Sequence, residues 1–127
     1  MKRILLVDDE KKIRTLYKKL LIDEGYEVIE AVNAREATDI LLVNHIDLVL
    51  LDLNMPDITG DEMLDIVKIY DPKFKVIVIS VCPIDEQQKR VPDAHDYFDK
   101  SHAADILLDK IKDTFEFDPN KVQISNN

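Results

Sequence analysis

The 127-residue chain has two glycines, Gly25 and Gly60, and one cysteine, Cys82. Two isolated glycines cannot build the Gly-rich loop that cradles the phosphates of a nucleotide or flavin. A lone cysteine forms no internal disulfide, fits a reducing compartment, and reads as a small buried or half-buried residue. No apolar run approaches the length of a membrane span, and Met1-Lys2-Arg3 leads straight into a strand pattern rather than a signal-peptide core. A cytoplasmic protein is therefore expected. Basic residues are also in the minority, 17 Lys and Arg against 26 Asp and Glu, and the net charge of −9 repels nucleic acid and anionic lipid. Lys11-Lys12 and Lys18-Lys19 fall on a helical pattern whose apolar positions point elsewhere, so they read as a solvated face. Internal repeats and low-complexity tracts are missing too.

What is present is alternation. Apolar, β-branched runs at about 3–8, 27–31, 46–52, 75–80 and 95–99 are separated by helical patterns, the signature of repeated βα units. The first, third and fourth runs are almost continuously hydrophobic, as strands covered on both faces should be. The second and fifth are flanked by charge, which suits sheet edges. Ile13, Leu16, Tyr17, Leu20 and Leu21 mark a first helix that Gly25 ends. Asn33 and Glu36 predict a capped second helix, and Thr59 and Glu62 a third with Met63, Ile66, Val67 and Tyr70 as its inner stripe. Between Pro83 and Pro92 only Ile84 and Val91 are available for burial, so the helix there should be short and weakly anchored. A last helix, opened by Ser101, carries Ala104, Leu107, Leu108, Ile111 and Phe115 on one face. One domain over 1–117 with a polar tail at 118–127 accounts for the whole chain.

Three carboxylates stand where strands end. Asp8 and Asp9 close the first run and Asp52 closes the third. A parallel sheet gathers the carboxyl ends of its strands along one edge, which brings these groups together. Crowded like charges need a counter-cation, and hard oxygen donors suit Mg2+, whose shell is usually completed by water and phosphate. The pattern points to phosphoryl chemistry.

Val7-Asp8-Asp9-Glu10, Leu51-Asp52-Leu53-Asn54-Met55-Pro56-Asp57 with Gly60 following, Val78-Ile79-Ser80, and Tyr97-Phe98-Asp99-Lys100, in that order, resemble the receiver domain of two-component response regulators. The resemblance covers about 1–117. It implies a flavodoxin-like, doubly wound five-stranded parallel sheet in the order 2-1-3-4-5, with helices on both faces. It also implies that Asp52 accepts a phosphoryl group from a sensor histidine kinase or a histidine phosphotransfer protein. Asp9 and Asp52 would bind Mg2+ directly, Asp8 directly or through water, and the Asn54 carbonyl would complete the protein ligands. Ser80 and Lys100 would serve phosphoryl oxygens, and Ser80 with Tyr97 would form the switch. His45, His95 and His102 share no spacing and have no expected role, since the phosphorylated histidine belongs to the partner. The implied function is a stand-alone switch that signals by binding an effector protein and catalyses only its own phosphoryl transfer and dephosphorylation.

The chain departs from the family pattern in three places. Ser101 stands where proline usually follows the lysine, and because a cis bond to a non-proline residue costs about 2.5–4 kcal/mol a trans Lys100–Ser101 bond is expected. Val81 is bulkier than the residue usual after the hydroxyl, and the stretch between Ser80 and Lys100 is compressed. Ser101 and Val81 leave a constitutive, never-phosphorylated interaction module as an alternative, which the intact acidic set disfavours. An aspartyl-nucleophile phosphatase of the haloacid dehalogenase class is a poorer one, because Asn54 occupies the position of its acid/base aspartate.

Overall fold

The computed structural model of the protein describes residues 1–53, 62, 64, 65, 68 and 74–116. In chain order the elements are β1 (Arg3–Val7), α1 (Lys11–Asp23), β2 (Glu27–Ala31), α2 (Ala34–Val43), β3 (Leu48–Asp52), β4 (Val76–Ser80), α3 (Ile84–Arg90), β5 (Asp96–Asp99) and α4 (Ala104–Glu116). Glu62, Leu64, Asp65 and Lys68, between β3 and β4, are also helical. The expected stripe Met63, Ile66, Val67 and Tyr70, the Thr59 cap and the 118–127 tail lie outside the described residues. Leu64, absent from that stripe, is buried.

The five strands are all parallel in the order β2-β1-β3-β4-β5. Alternate residues of the central strands feed two cores. Leu5, Val7, Val49, Leu51, Val76 and Val78 pack on one face with Ala37 and Leu41 of α2. On the opposite face Ile4, Leu6, Leu48, Leu50, Ile77 and Ile79 meet Tyr17 and Leu21 of α1 and Leu107 and Ile111 of α4. Burial on both faces is why these strands read as unbroken apolar runs. Each fully buried Leu or Ile contributes about 1.5–3 kcal/mol.

Local signals act largely where the sequence places them. Gly25 has φ +93, its amide bonds to the Ile22 carbonyl, and the Tyr26 amide bonds to that of Leu21, a Schellman ending for α1. Asn33 Oδ1 accepts from the Glu36 amide at 2.8 Å, while Glu36 Oε1 accepts from the amide of Val32 at 3.0 Å. Two expectations are corrected. Leu16 is half exposed, because the buried face of α1 is centred on Tyr17 and Leu21 and leaves Leu16 at its edge. Ser101 does not open the last helix, which begins at Ala104, because its hydroxyl is committed to Asp99. No helix among the described residues is long and apolar enough to cross a membrane.

Candidate metal and phosphoryl-acceptor site

The register of the sheet builds the site. Val7 pairs with Leu51, so Asp8 and Asp52 leave adjacent strands side by side, and Ser80 pairs with Asp99, which sets Lys100 just past the β5 end. One carboxylate oxygen from each of Asp8, Asp9 and Asp52 lies within 4.8 Å of the other two, with Asp8 and Asp52 buried and Asp9 exposed. Three convergent carboxylates, with no sulfur or nitrogen ligand joining them among the described residues, suit a hard divalent cation, and an exposed Asp9 leaves a route for water or phosphate. The expected Asn54 ligand lies outside the described residues.

Lys100 is the cationic member. Its Nζ donates to Asp8 Oδ2 at 2.8 Å and stands 3.4 Å from Asp52 Oδ1, with 7 % of its side chain exposed. Burial pulls the ammonium down, but its hydrogen bond to Asp8 and the charges of Asp52 and Asp8 more than reverse this, so its pKa is raised. Nearby Tyr17 is pushed up, chiefly by burial. The Glu10 amide donates to Asp8 Oδ1 at 2.9 Å, so both carboxylate oxygens of Asp8 accept hydrogen bonds.

Ser80 is fully buried, and its Oγ accepts from the Cys82 amide at 3.1 Å. Tyr97 is also buried, in its inward position, with its hydroxyl donating to the Val91 carbonyl. Val81 points outward and is largely exposed. His45 pairs with Asp47, His102 faces Asp99, and His95 is exposed; none belongs to the acidic cluster. The peptide bond between Lys100 and Ser101 is trans, as a secondary amide favours.

Two residues beside the site carry no sequence signal of comparable clarity. Arg14 is nearly buried, donating from Nη1 to the Asp8 carbonyl at 2.8 Å and from Nε to Glu30 Oε1 at 3.3 Å. It fixes the backbone on which Asp8 and Asp9 stand. Glu30 also holds Lys18 at 3.1 Å, so that lysine is drawn inward, while Lys11, Lys12 and Lys19 remain exposed. The only hint of Arg14 was a cation inside an apolar stripe. Gln87, fully buried, donates from Nε2 to the carbonyls of Cys82 at 2.8 Å and Phe98 at 3.0 Å. It ties α3 to β5 and to the loop below Ser80, supplying an anchor beyond the expected Ile84 and Val91.

Comparison with known proteins agrees with this geometry. The sequence profile of the family described as response regulator receiver domain matches residues 4–112. Sporulation initiation phosphotransferase F of Bacillus subtilis is 34 % identical over 112 residues, covering 87 % of this chain and 90 % of that protein. Chemotaxis protein CheY of the same organism is 34 % identical over 118 residues, covering 88 % and 96 %. Among solved structures, response regulator protein TrrA of Thermotoga maritima in complex with Mg(2+)-BeF superposes with a TM-score of 0.83 at 37 % identity, over 90 % of this chain and 99 % of that one. The complex of histidine kinase ThkA with TrrA gives 0.84 at 36 % identity, over 91 % and 100 %. With the strand order, the acidic triad and the buried lysine in place, the chain belongs to the response regulator receiver domain family.

Proposed function

We propose that the protein is a phosphorylation-controlled signalling switch that accepts a phosphoryl group on Asp52 from a phosphohistidine on a kinase or phosphotransfer partner. The observation that carries this reading is the convergence of Asp8, Asp9 and Asp52 within 4.8 Å, with the Lys100 ammonium at 2.8 Å from Asp8 and 3.4 Å from Asp52. The likeness to TrrA, seen with Mg(2+)-BeF and with a histidine kinase, supports both the metal and the partner class.

In this reading Asp8, Asp9 and Asp52 hold Mg2+, which when bound supplies the positive charge that offsets repulsion between a carboxylate nucleophile and an anionic phosphoryl donor. An Asp52 carboxylate oxygen forms a bond to phosphorus as the P–N bond breaks. The electron pair of that bond stays on the partner's imidazole, which leaves neutral when its other nitrogen carries a proton. Lys100, already beside Asp52, donates to one phosphoryl oxygen, and the Ser80 hydroxyl turns to donate to another. Burial of Asp8 and Asp52 keeps these charges out of bulk water, which would weaken their interactions.

The output follows from what Ser80 leaves behind. Its Oγ holds the Cys82 amide, and the Cys82 carbonyl in turn holds Gln87 of α3. Withdrawal of the hydroxyl towards Asp52 loosens this chain and biases α3, β5 around Tyr97 and α4, the face that a downstream protein reads. The protein acts on its own carboxylate rather than turning over other substrates. Phosphoramidate, a small P–N donor, tests the transfer: with Mg2+ it should label Asp52 as a hydroxylamine-labile acyl phosphate, and a label on any other residue overturns the assignment.

A further inference from the structure

Lys100 has a long, flexible side chain on the first residue beyond β5, yet its ammonium sits at defined distances from two carboxylates. Something must hold its backbone. The Lys100 amide donates to the Ser80 carbonyl at 2.7 Å, which fixes the residue on its β4 side. On the other side Asp99 Oδ1 accepts both the Ser101 amide, at 2.8 Å, and the Ser101 hydroxyl, at 2.7 Å. The His102 amide donates to the Asp99 carbonyl at 2.9 Å, and His102 Nε2 lies 3.6 Å from Asp99 Oδ2. Residues 99 and 101 are therefore stapled across Lys100. A proline at 101 would supply neither donor; serine supplies two.

We propose that Asp99 and Ser101 form a positioning clamp that fixes the backbone of Lys100 so that its ammonium reaches Asp8 and the phosphoryl oxygen on Asp52. The clamp touches no reacting atom and acts through Lys100. It takes the place of the stiffness a proline ring would give, through two hydrogen bonds to one nearly buried carboxylate. This inference rests on the phosphoacceptor reading for its catalytic consequence, but the placement of Lys100 can be measured without it.

The test uses the full chain and compares Ser101→Ala, Ser101→Thr, which keeps both donors, and Lys100→Ala with the wild type. Ser101→Ala should slow phosphoryl uptake from acetyl phosphate about tenfold and leave Mg2+ affinity unchanged, because a small displacement of a charged donor is felt in the transfer step. Ser101→Thr should restore the wild-type rate. In the Lys100→Ala background, Ser101→Ala should cause no additional loss, the non-additivity expected of residues acting through one group. A loss of the same size in that background, a fall in Mg2+ affinity, or no effect of Ser101→Ala overturns the clamp.

The second arm needs no phosphorylation. The Lys100 amine is shielded, and acylation by a water-soluble amine reagent, read at residue 100 by peptide mass spectrometry, should be about tenfold faster in Ser101→Ala than in wild type or Ser101→Thr. Unchanged labelling overturns the clamp. If the wild type takes up no phosphoryl group but Lys100 labelling rises as expected, the phosphoacceptor reading fails and the clamp stands.

Discussion

Lys100 Nζ donates to Asp8 Oδ2 at 2.8 Å across 92 residues of sequence, joining the ends of β5 and β1 through a pair in which 7 % of the lysine side chain and none of the aspartate is exposed. Such a pair is costly to break one-sidedly, because the remaining charge stays buried without its partner. Lys100→Ala should therefore lower stability by about 3 kcal/mol, and adding Asp8→Asn should recover part of that loss. Urea unfolding of the two single variants and the double variant checks this; additive losses would mean that the pair is not coupled.

Asp99 gives an acid-side prediction. The Ser101 hydroxyl, and after it the Ser101 amide, hold its carboxyl below the usual aspartate range. A carboxyl whose folded value lies below its unfolded one stabilises the fold fully above the ordinary aspartate range, and that contribution is lost as pH falls through the lowered value. The gap between the urea midpoints of wild type and Asp99→Ala should therefore narrow as pH falls below about 4, where the carboxyl takes up a proton more readily in the unfolded chain than in the fold. A gap that widens below about pH 4 would contradict the assigned hydrogen bonds.

Gln87 predicts where the switch is weak. Gln87→Ala leaves the Cys82 and Phe98 carbonyls without this donor, which should cost about 1–3 kcal/mol and speed amide exchange in α3 more than in α1 or α2. With beryllofluoride and Mg2+ as a phosphoryl mimic at Asp52, the wild type should change exchange chiefly within residues 81–100. Changes confined to α1 and α2 would exclude the proposed output face.

Periodicity made the alternating fold legible because burial on two sheet faces leaves its mark residue by residue, as in Leu48-Val49-Leu50-Leu51. The acidic triad was legible because strand-end carboxylates in a parallel sheet share an edge. Arg14 and Gln87 were not, since each is buried to satisfy main-chain carbonyls that lie elsewhere in the fold, Asp8 for one and Phe98 for the other. Ser101 misled for the same reason: a serine three residues before a helix looks like its start, and only the folded position of Asp99 diverts its hydroxyl. Leu16 follows the apolar spacing of α1 but lies at the edge of its stripe, and the face that packs on the sheet is centred on Tyr17 and Leu21 with Ile13 and Leu20 beside them.

The most direct test of the proposed phosphoacceptor role of Asp52 is the intact mass of the protein after incubation with acetyl phosphate. The wild type with Mg2+ should gain the mass of one phosphoryl group, and the gain should disappear with a chelator or in Asp52→Asn. An Asp52→Asn protein that is phosphorylated as readily as the wild type, or a wild type that gains nothing with Mg2+ present, would contradict the account.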